Sequence, residues 1–226
     1  MMRGARWIWL WGALLLAPMA AAQDPRVEVS LGAEQAAVGQ PLILRLTVLV
    51  PSFMPDPPVL PSFEVPDLMV RLNGRATTPT SQQIDGETWS GITRSYSLYP
   101  MVPGTFILPP QEVRVTSAET GATPEVTTIV TDEIRFEAIL PEGAEALDPP
   151  VLATGLTAEQ TITVPEGELA VGDAITREIV LKITGTSPLF IPPLLDTEAT
   201  ERLRPYPAEP TLDESENRGV LSHGGA

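Results

Sequence analysis

Apolar and polar side chains alternate along most of this chain, and the clearest alternation occurs twice. The first copy, residues 38–50, begins with a glycine turn and continues with an apolar side chain at every second position. The second copy, residues 171–183, has the same turn and phase, although Arg177 stands where the first copy has Leu44. A period of two is typical of a half-buried β-strand. The repeat therefore predicts two β-domains of one kind.

Shorter alternating runs, divided by turn residues, fill residues 26–140. Asp85-Gly86 is a typical two-residue hairpin turn, and Gly104 ends a second turn. The residues that take the core phase around these turns are Ile92, Tyr96, Leu98, Phe106 and Leu108. We expect seven to nine strands here, as in an immunoglobulin-like sandwich, with the strands of Tyr96 and Phe106 adjacent and antiparallel.

The fold class that follows is all-β, with tandem immunoglobulin-like β-sandwich domains, the second incomplete. The predicted parts are a signal peptide (1–22), a first sandwich (26–140), an acidic proline-bounded linker (141–150), a partial second immunoglobulin-like domain (151–208) and a polar, disordered tail (209–226). At the repeat spacing, the second copy of the closing hairpin would fall near or beyond Ala226. The second domain should therefore lack closing strands and show an exposed apolar face.

The N-terminus has the pattern of an export signal. Arg3 and Arg6 precede an apolar run over residues 7–17, which is short for a membrane span. Alanines at positions 20–22 supply the small residues of a cleavage site. An uncleaved N-terminal anchor is the alternative. We predict an exported, periplasmic protein whose mature chain begins near Gln23.

The charge of the chain restricts its partners. The formal net charge is −15, and removal of Arg3 and Arg6 with the signal would make it −17. Such a chain repels phosphate backbones and anionic lipids, which excludes nucleic acid and requires an anchor or a partner protein for membrane association. The chain has no cysteine. Thiol catalysis and cysteine-based metal sites are therefore excluded.

The sequence contains no pattern that predicts a catalytic or metal-binding site. The single histidine, His223, lies among glycines near the C-terminus, and Lys182 occupies an outward position in the repeat strand. The densest acidic groups, Asp132-Glu133 and residues 213–216, lack the spacing of a calcium loop. Catalytic, cofactor-binding and metal-binding residues are all predicted to be none, so we do not expect an enzyme.

Trp89 is the strongest aromatic candidate for recognition because it follows the Asp85-Gly86 turn. It can anchor a partner or pack over a sheet edge, and the sequence favours packing.

Several short motifs resemble the BatD family, the oxygen-tolerance proteins encoded with von Willebrand A-domain proteins in bacterial aerotolerance operons. The matching segments are residues 38–41, 60–63, 96–100, 103–109, 172–177 and 204–207. The central pattern is an aromatic-x-Leu-x-Pro strand, a glycine turn and an aromatic-x-aliphatic-Pro strand. Together these segments extend over nearly the whole mature chain.

The resemblance implies a non-enzymatic, membrane-associated protein that interacts with envelope proteins through immunoglobulin-like domains. Its implied partners are von Willebrand A-domain proteins, and its implied anchor is a C-terminal helix. This chain has no apolar stretch after the signal that is long enough for such a helix. Membrane association would then depend on partners or on a missing C-terminal helix. A carbohydrate-binding sandwich and a pilus-type periplasmic chaperone are the alternative functions.

Overall fold

The computed structural model describes residues 23–72, 76–119, 121–195, 204–215 and 218–225, so the predicted signal peptide lies outside the described residues. These residues form fourteen strands and one 3-10 helix at Pro188–Phe190, which shows that the fold is all-β. The strands are β1 (Arg26–Leu31), β2 (Gln35–Ala37), β3 (Leu42–Val50), β4 (Leu68–Arg71), β5 (Thr77–Ile84), β6 (Glu87–Pro100), β7 (Gly104–Leu108), β8 (Glu112–Ser117), β9 (Glu125–Val130), β10 (Ile134–Ile139), β11 (Gly155–Thr163), β12 (Thr176–Thr184), β13 (Thr211–Ser215) and β14 (Arg218–Gly225).

The largest sheet has the antiparallel order β1-β3-β6-β4, and β5 pairs with the first part of β6. Its central strand β3 is the first copy of the repeat. The predicted alternation is confirmed, because the side chains that share one face of β3 are all buried: Leu42, Leu44, Leu46 and Val48. The predicted hairpin turn is also confirmed, since Asp85 and Gly86 both have positive φ, as a tight turn between right-twisted strands requires.

A three-stranded sheet, β2-β10-β7, contributes to the same hydrophobic core as the largest sheet. Its strand β10 pairs antiparallel with β7 and parallel with β2. Phe106 and Phe136 are opposite each other in this sheet, and their rings stack with centroids 5.1 Å apart. A two-stranded sheet, β8-β9, adds Val113 and Val115 to the core. The core therefore collects side chains from three sheets.

The predicted pairing of the strands of Tyr96 and Phe106 is wrong. Tyr96, Leu98, Phe106 and Leu108 do share one core, but β6 belongs to the largest sheet and β7 to the three-stranded sheet. The turn before Gly104 passes the chain from one sheet to the other. Alternation determines which side chains face the core, and it does not determine which strand lies alongside.

Two further expectations for this region need correction. Ten strands lie between residues 26 and 140, where seven to nine were expected. Within the alternating runs predicted over residues 26–140, residues 63–72 form a strand only at β4. Phe63 and Asp67 have positive φ, which breaks the extended backbone, although the Phe63 ring is still buried in the core.

The remaining strands form a separate antiparallel sheet with the order β11-β12-β14-β13, here called the second sheet. Its central strand β12 is the second copy of the repeat, and β11 pairs with it as β1 pairs with β3. Strands β13 and β14 lie within residues 209–226, where a polar, disordered tail was expected, and His223 pairs with Ile179. Residues 216, 217 and 226 of that expected tail lie outside the described residues. Residues 218–225 pair with the backbone N–H and C=O groups that β12 leaves free, so a strand forms here without regular apolar alternation.

Candidate interaction surface

The second sheet has one apolar face and one polar face. The register of β11 and β12 places alternate residues of the two strands side by side, as in the pairs Leu156 with Ile183 and Ala158 with Leu181. We call this side the apolar face, and its apolar members are Leu156, Ala158, Ile162, Ile179, Leu181 and Ile183. Gln160 and Arg177 lie on the same side, where the Arg177 guanidinium donates to the Gln160 side-chain oxygen. Such a face is normally covered by a second layer in a sandwich.

Only part of the apolar face is covered among the described residues. Leu181 and Ile183 are buried on the central strand. On the outer strand, by contrast, Leu156 is 62% exposed and Ile162 is 55% exposed. The equivalent strand of the first repeat, β1, packs its alternate apolar side chains against the core. The face that a second layer covers in the first domain is therefore open along β11.

The opposite face of the second sheet is polar. It carries Thr157, Thr161 and Glu178, and the Lys182 ammonium pairs with the Glu159 carboxylate at 3.5 Å. Both members of that pair are largely exposed to solvent. The carboxylates of β11 and β12 thus lie on one side of the sheet, and all the apolar side chains of the two strands except Val180 lie on the other.

Side-chain contacts join the second sheet to the first sandwich. The Arg71 guanidinium donates to the Ser187 hydroxyl at 3.3 Å and forms an ion pair with Glu214 of β13. The Thr186 hydroxyl donates to the backbone carbonyl of Gly39. Ser187 and Thr186 are both buried. We call this set of contacts the junction. It attaches the second sheet to the first sandwich through the residues that follow β12 and through β13, while the apolar side chains of β11 stay in solvent.

Tyr99 lies at the centre of this junction, packed against the ring of Phe190. Burial raises the pKa of Tyr99, the Glu214 charge raises it further, and Arg71 opposes the shift. Beside these rings lies a cleft with an apolar lining and no charged side chain. The lining residues are Val38, Gly39, Met101, Pro149, Pro150, Leu189 and Phe190. The cleft therefore offers mainly apolar contact.

The acidic residues singled out in the sequence do not converge. The Glu133 carboxylate accepts a hydrogen bond from Arg135 at 2.6 Å, and Glu214 pairs with Arg71. Within the described ranges, no group of three or more histidine, aspartate or glutamate side chains is placed to hold a metal ion. The geometry of these acids is that of separate surface ion pairs.

Trp89 is packed rather than exposed, as the sequence favoured. Only 1% of its surface is exposed, and the Arg26 guanidinium lies over its ring at 4.8 Å from the centroid. Its indole Nε1 has no hydrogen-bond partner among the described residues. Trp89 therefore stabilises the outer end of the largest sheet and presents no ring to a partner.

The open face of β11 was expected in general terms, because the incomplete second domain predicted an exposed apolar face. The junction through Arg71, Thr186 and Phe190 was not predicted. No sequence pattern marks these residues, which come together only when the two sheets are in place.

Comparisons with known proteins identify no relative: no protein-family model, curated protein or solved structure matches this chain. In the part of the chain that the structure describes, no helix has the length and apolar character needed to cross a membrane.

Proposed function

We propose that this chain is a non-enzymatic, exported module that binds proteins of the bacterial cell envelope. The observation that carries the proposal is the open apolar face along β11, where Leu156 and Ile162 are more than half exposed. Water-exposed apolar surface of this kind is typical of sites that bind another protein. Among the described side chains, the polar groups around it form ion pairs and hydrogen bonds, such as Arg177 with Gln160 and Lys182 with Glu159.

The resemblance to BatD suggests the compartment and the kind of partner. An export signal at residues 1–22 would direct the chain to the periplasm. There it would act through immunoglobulin-like domains, together with von Willebrand A-domain proteins, in oxygen or stress tolerance. Its membrane association would depend on such partners or on a C-terminal helix.

Co-purification from a bacterial envelope extract tests this proposal. A tagged full chain should recover von Willebrand A-domain proteins, identified by mass spectrometry. The matched variants Leu156→Glu and Thr157→Glu add the same charge at adjacent exposed positions on opposite faces of β11. Leu156→Glu should reduce the recovery of the partner, and Thr157→Glu should preserve it. Recovery of pilins would instead favour a chaperone. Retention on a glycan column without any protein partner would contradict the proposal.

A further inference from the structure

We infer that the free edge of β11 binds a β-strand of a partner protein in which apolar residues alternate with basic residues. This inference rests on the proposed protein-binding function and names the chemistry of the partner. β11 is nine residues long and lies at one end of the second sheet, where its described backbone pairing is with β12 alone. An edge of this length presents a row of N–H and C=O groups that can hydrogen-bond an added strand.

Two other edge strands, β5 and β13, carry features that oppose such pairing, and β11 has few of them. β5 contains Pro79, which lacks an N–H, and β13 has the adjacent acids Asp213 and Glu214. β11 contains no proline or lysine, and its single charge, Glu159, lies on the polar face in the ion pair with Lys182. Among the longer edges, β11 is therefore the one best suited to accept a strand.

The side chains of β11 specify the apolar positions of the partner. An added strand would place every second side chain beside the apolar face, next to Leu156, Ala158 and Ile162. All three are exposed, so apolar partner side chains would remove their surface from water. Aliphatic and aromatic residues two positions apart fit this requirement. The chain itself uses that pattern in β7, where Phe106 and Leu108 enter the first core.

The charge around β11 specifies which residues the partner strand should have between its apolar positions. Residues 155–184, which include β11, β12 and their connection, contain five acidic and two basic residues. The remaining side chains of an added strand would lie on the polar face, close to Glu159. Basic residues at these positions would be attracted, whereas acidic ones would be repelled. The net charge of −15 also disfavours a second copy of this chain as the occupant.

Two peptides of nine residues test the inference against the full chain by isothermal titration calorimetry. Both have valine, phenylalanine and leucine at alternate positions; one has lysine between them and the other has glutamate. The lysine peptide should bind at least about tenfold more tightly than the glutamate peptide. Leu156→Glu should weaken its binding about tenfold or more, and Thr157→Glu should not weaken it. Ile162→Glu is a second variant on the apolar face, and circular dichroism checks the fold of each variant.

The inference is overturned if the lysine peptide does not bind, or if it binds Leu156→Glu as tightly as the unchanged chain. It is also overturned if sedimentation shows that the chain dimerises through β11 and Leu156→Glu abolishes the dimer. If Leu156→Glu still recovers the envelope partner in co-purification, the protein-binding function stands while the strand site fails.

Discussion

The ring of Phe190 lies against the ring of Tyr99, with centroids 5.7 Å apart and planes inclined by 54°. Tyr99 belongs to the long strand β6 of the first sandwich, and Phe190 ends the 3-10 helix that follows β12. This contact, with the hydrogen bond from Thr186 to Gly39, holds the second sheet at one end. Along the apolar face, Leu181 and Ile183 of β12 are buried, whereas Leu156 and Ile162 of β11 stay in solvent.

The first prediction concerns this aromatic pair. Phe190→Ala should lower the free energy of unfolding by about 2 kcal/mol, because a half-buried ring and its aromatic contact are lost. Urea unfolding followed by circular dichroism measures the change. Leu189→Ala is the matched control, since Leu189 lies in the same 3-10 helix but is 50% exposed. If Leu189→Ala lowers the free energy of unfolding as much as Phe190→Ala, the packing of Phe190 against Tyr99 is not what stabilises this contact.

The second prediction concerns the ion pair between Arg71 and Glu214. A double-mutant cycle with Arg71→Met and Glu214→Gln should give a coupling free energy of about 0.5–1 kcal/mol that decreases at high salt. The pair of Lys182 with Glu159 provides a control, because both of its side chains are more exposed. Its coupling should be close to zero. Equal coupling in the two cycles would show that Arg71 does not stabilise the junction.

The third prediction concerns Tyr96, whose hydroxyl donates to the carbonyl of Pro61 at 2.8 Å. Burial raises the pKa of Tyr96, although Arg94 opposes the shift. The unfolded chain releases this proton first, near pH 10, so the free energy of unfolding should decrease as pH rises above that value. Tyr96→Phe should cost about 1 kcal/mol at pH 7 through the lost hydrogen bond. The difference in the free energy of unfolding between Tyr96→Phe and the unchanged chain should then become smaller above pH 10.

Urea unfolding at pH 7 and at pH 10.5 measures both effects. Tyr206→Phe is the control, because Tyr206 is largely exposed and should leave stability unchanged at either pH. If the free energies of unfolding of Tyr96→Phe and the unchanged chain differ by the same amount at both pH values, burial does not raise the pKa of Tyr96.

The fourth prediction concerns Gly91, which lies opposite Leu49 where β6 runs along β3. A Cβ at this position would lie 1.8 Å from the backbone oxygen of Val48. Gly91→Ala should therefore push β3 and β6 apart and lower the free energy of unfolding by about 3 kcal/mol. Thermal or urea unfolding measures this change. Ser90→Ala is the neighbouring control on an exposed position and should cost well under 1 kcal/mol. Similar stability of the two variants would contradict the close approach.

Much of the first domain could be predicted from residue patterns. The alternation of Leu42 to Val48 identified the central strand, because one face of a sheet that borders a core must be apolar. Asp85-Gly86 identified the hairpin of β5 and β6, because few residue pairs adopt two positive φ values without strain. The same alternation could not show that β6 and β7 lie in different sheets, since that depends on the course of the turn between them.

The second sheet was less predictable, for two physical reasons. Its strands β13 and β14 lack regular apolar alternation and form where β12 offers unpaired backbone groups, so their signal lies in another strand. The junction depends on pairs distant in sequence, such as Arg71 with Glu214. The repeat did indicate which face of β12 is apolar, and therefore where the open surface along β11 would lie.

Hydrogen exchange along β11, with and without the recovered envelope partner, is the decisive test of whether the second sheet is the binding surface. We predict that the partner protects the amides of Gly155–Thr163, while those of Arg26–Leu31 in the equivalent strand β1 exchange unchanged. Leu156→Glu should abolish that protection and Thr157→Glu should preserve it. Partner-induced protection of β1 with none in β11 would contradict the claim that the second sheet is the binding surface.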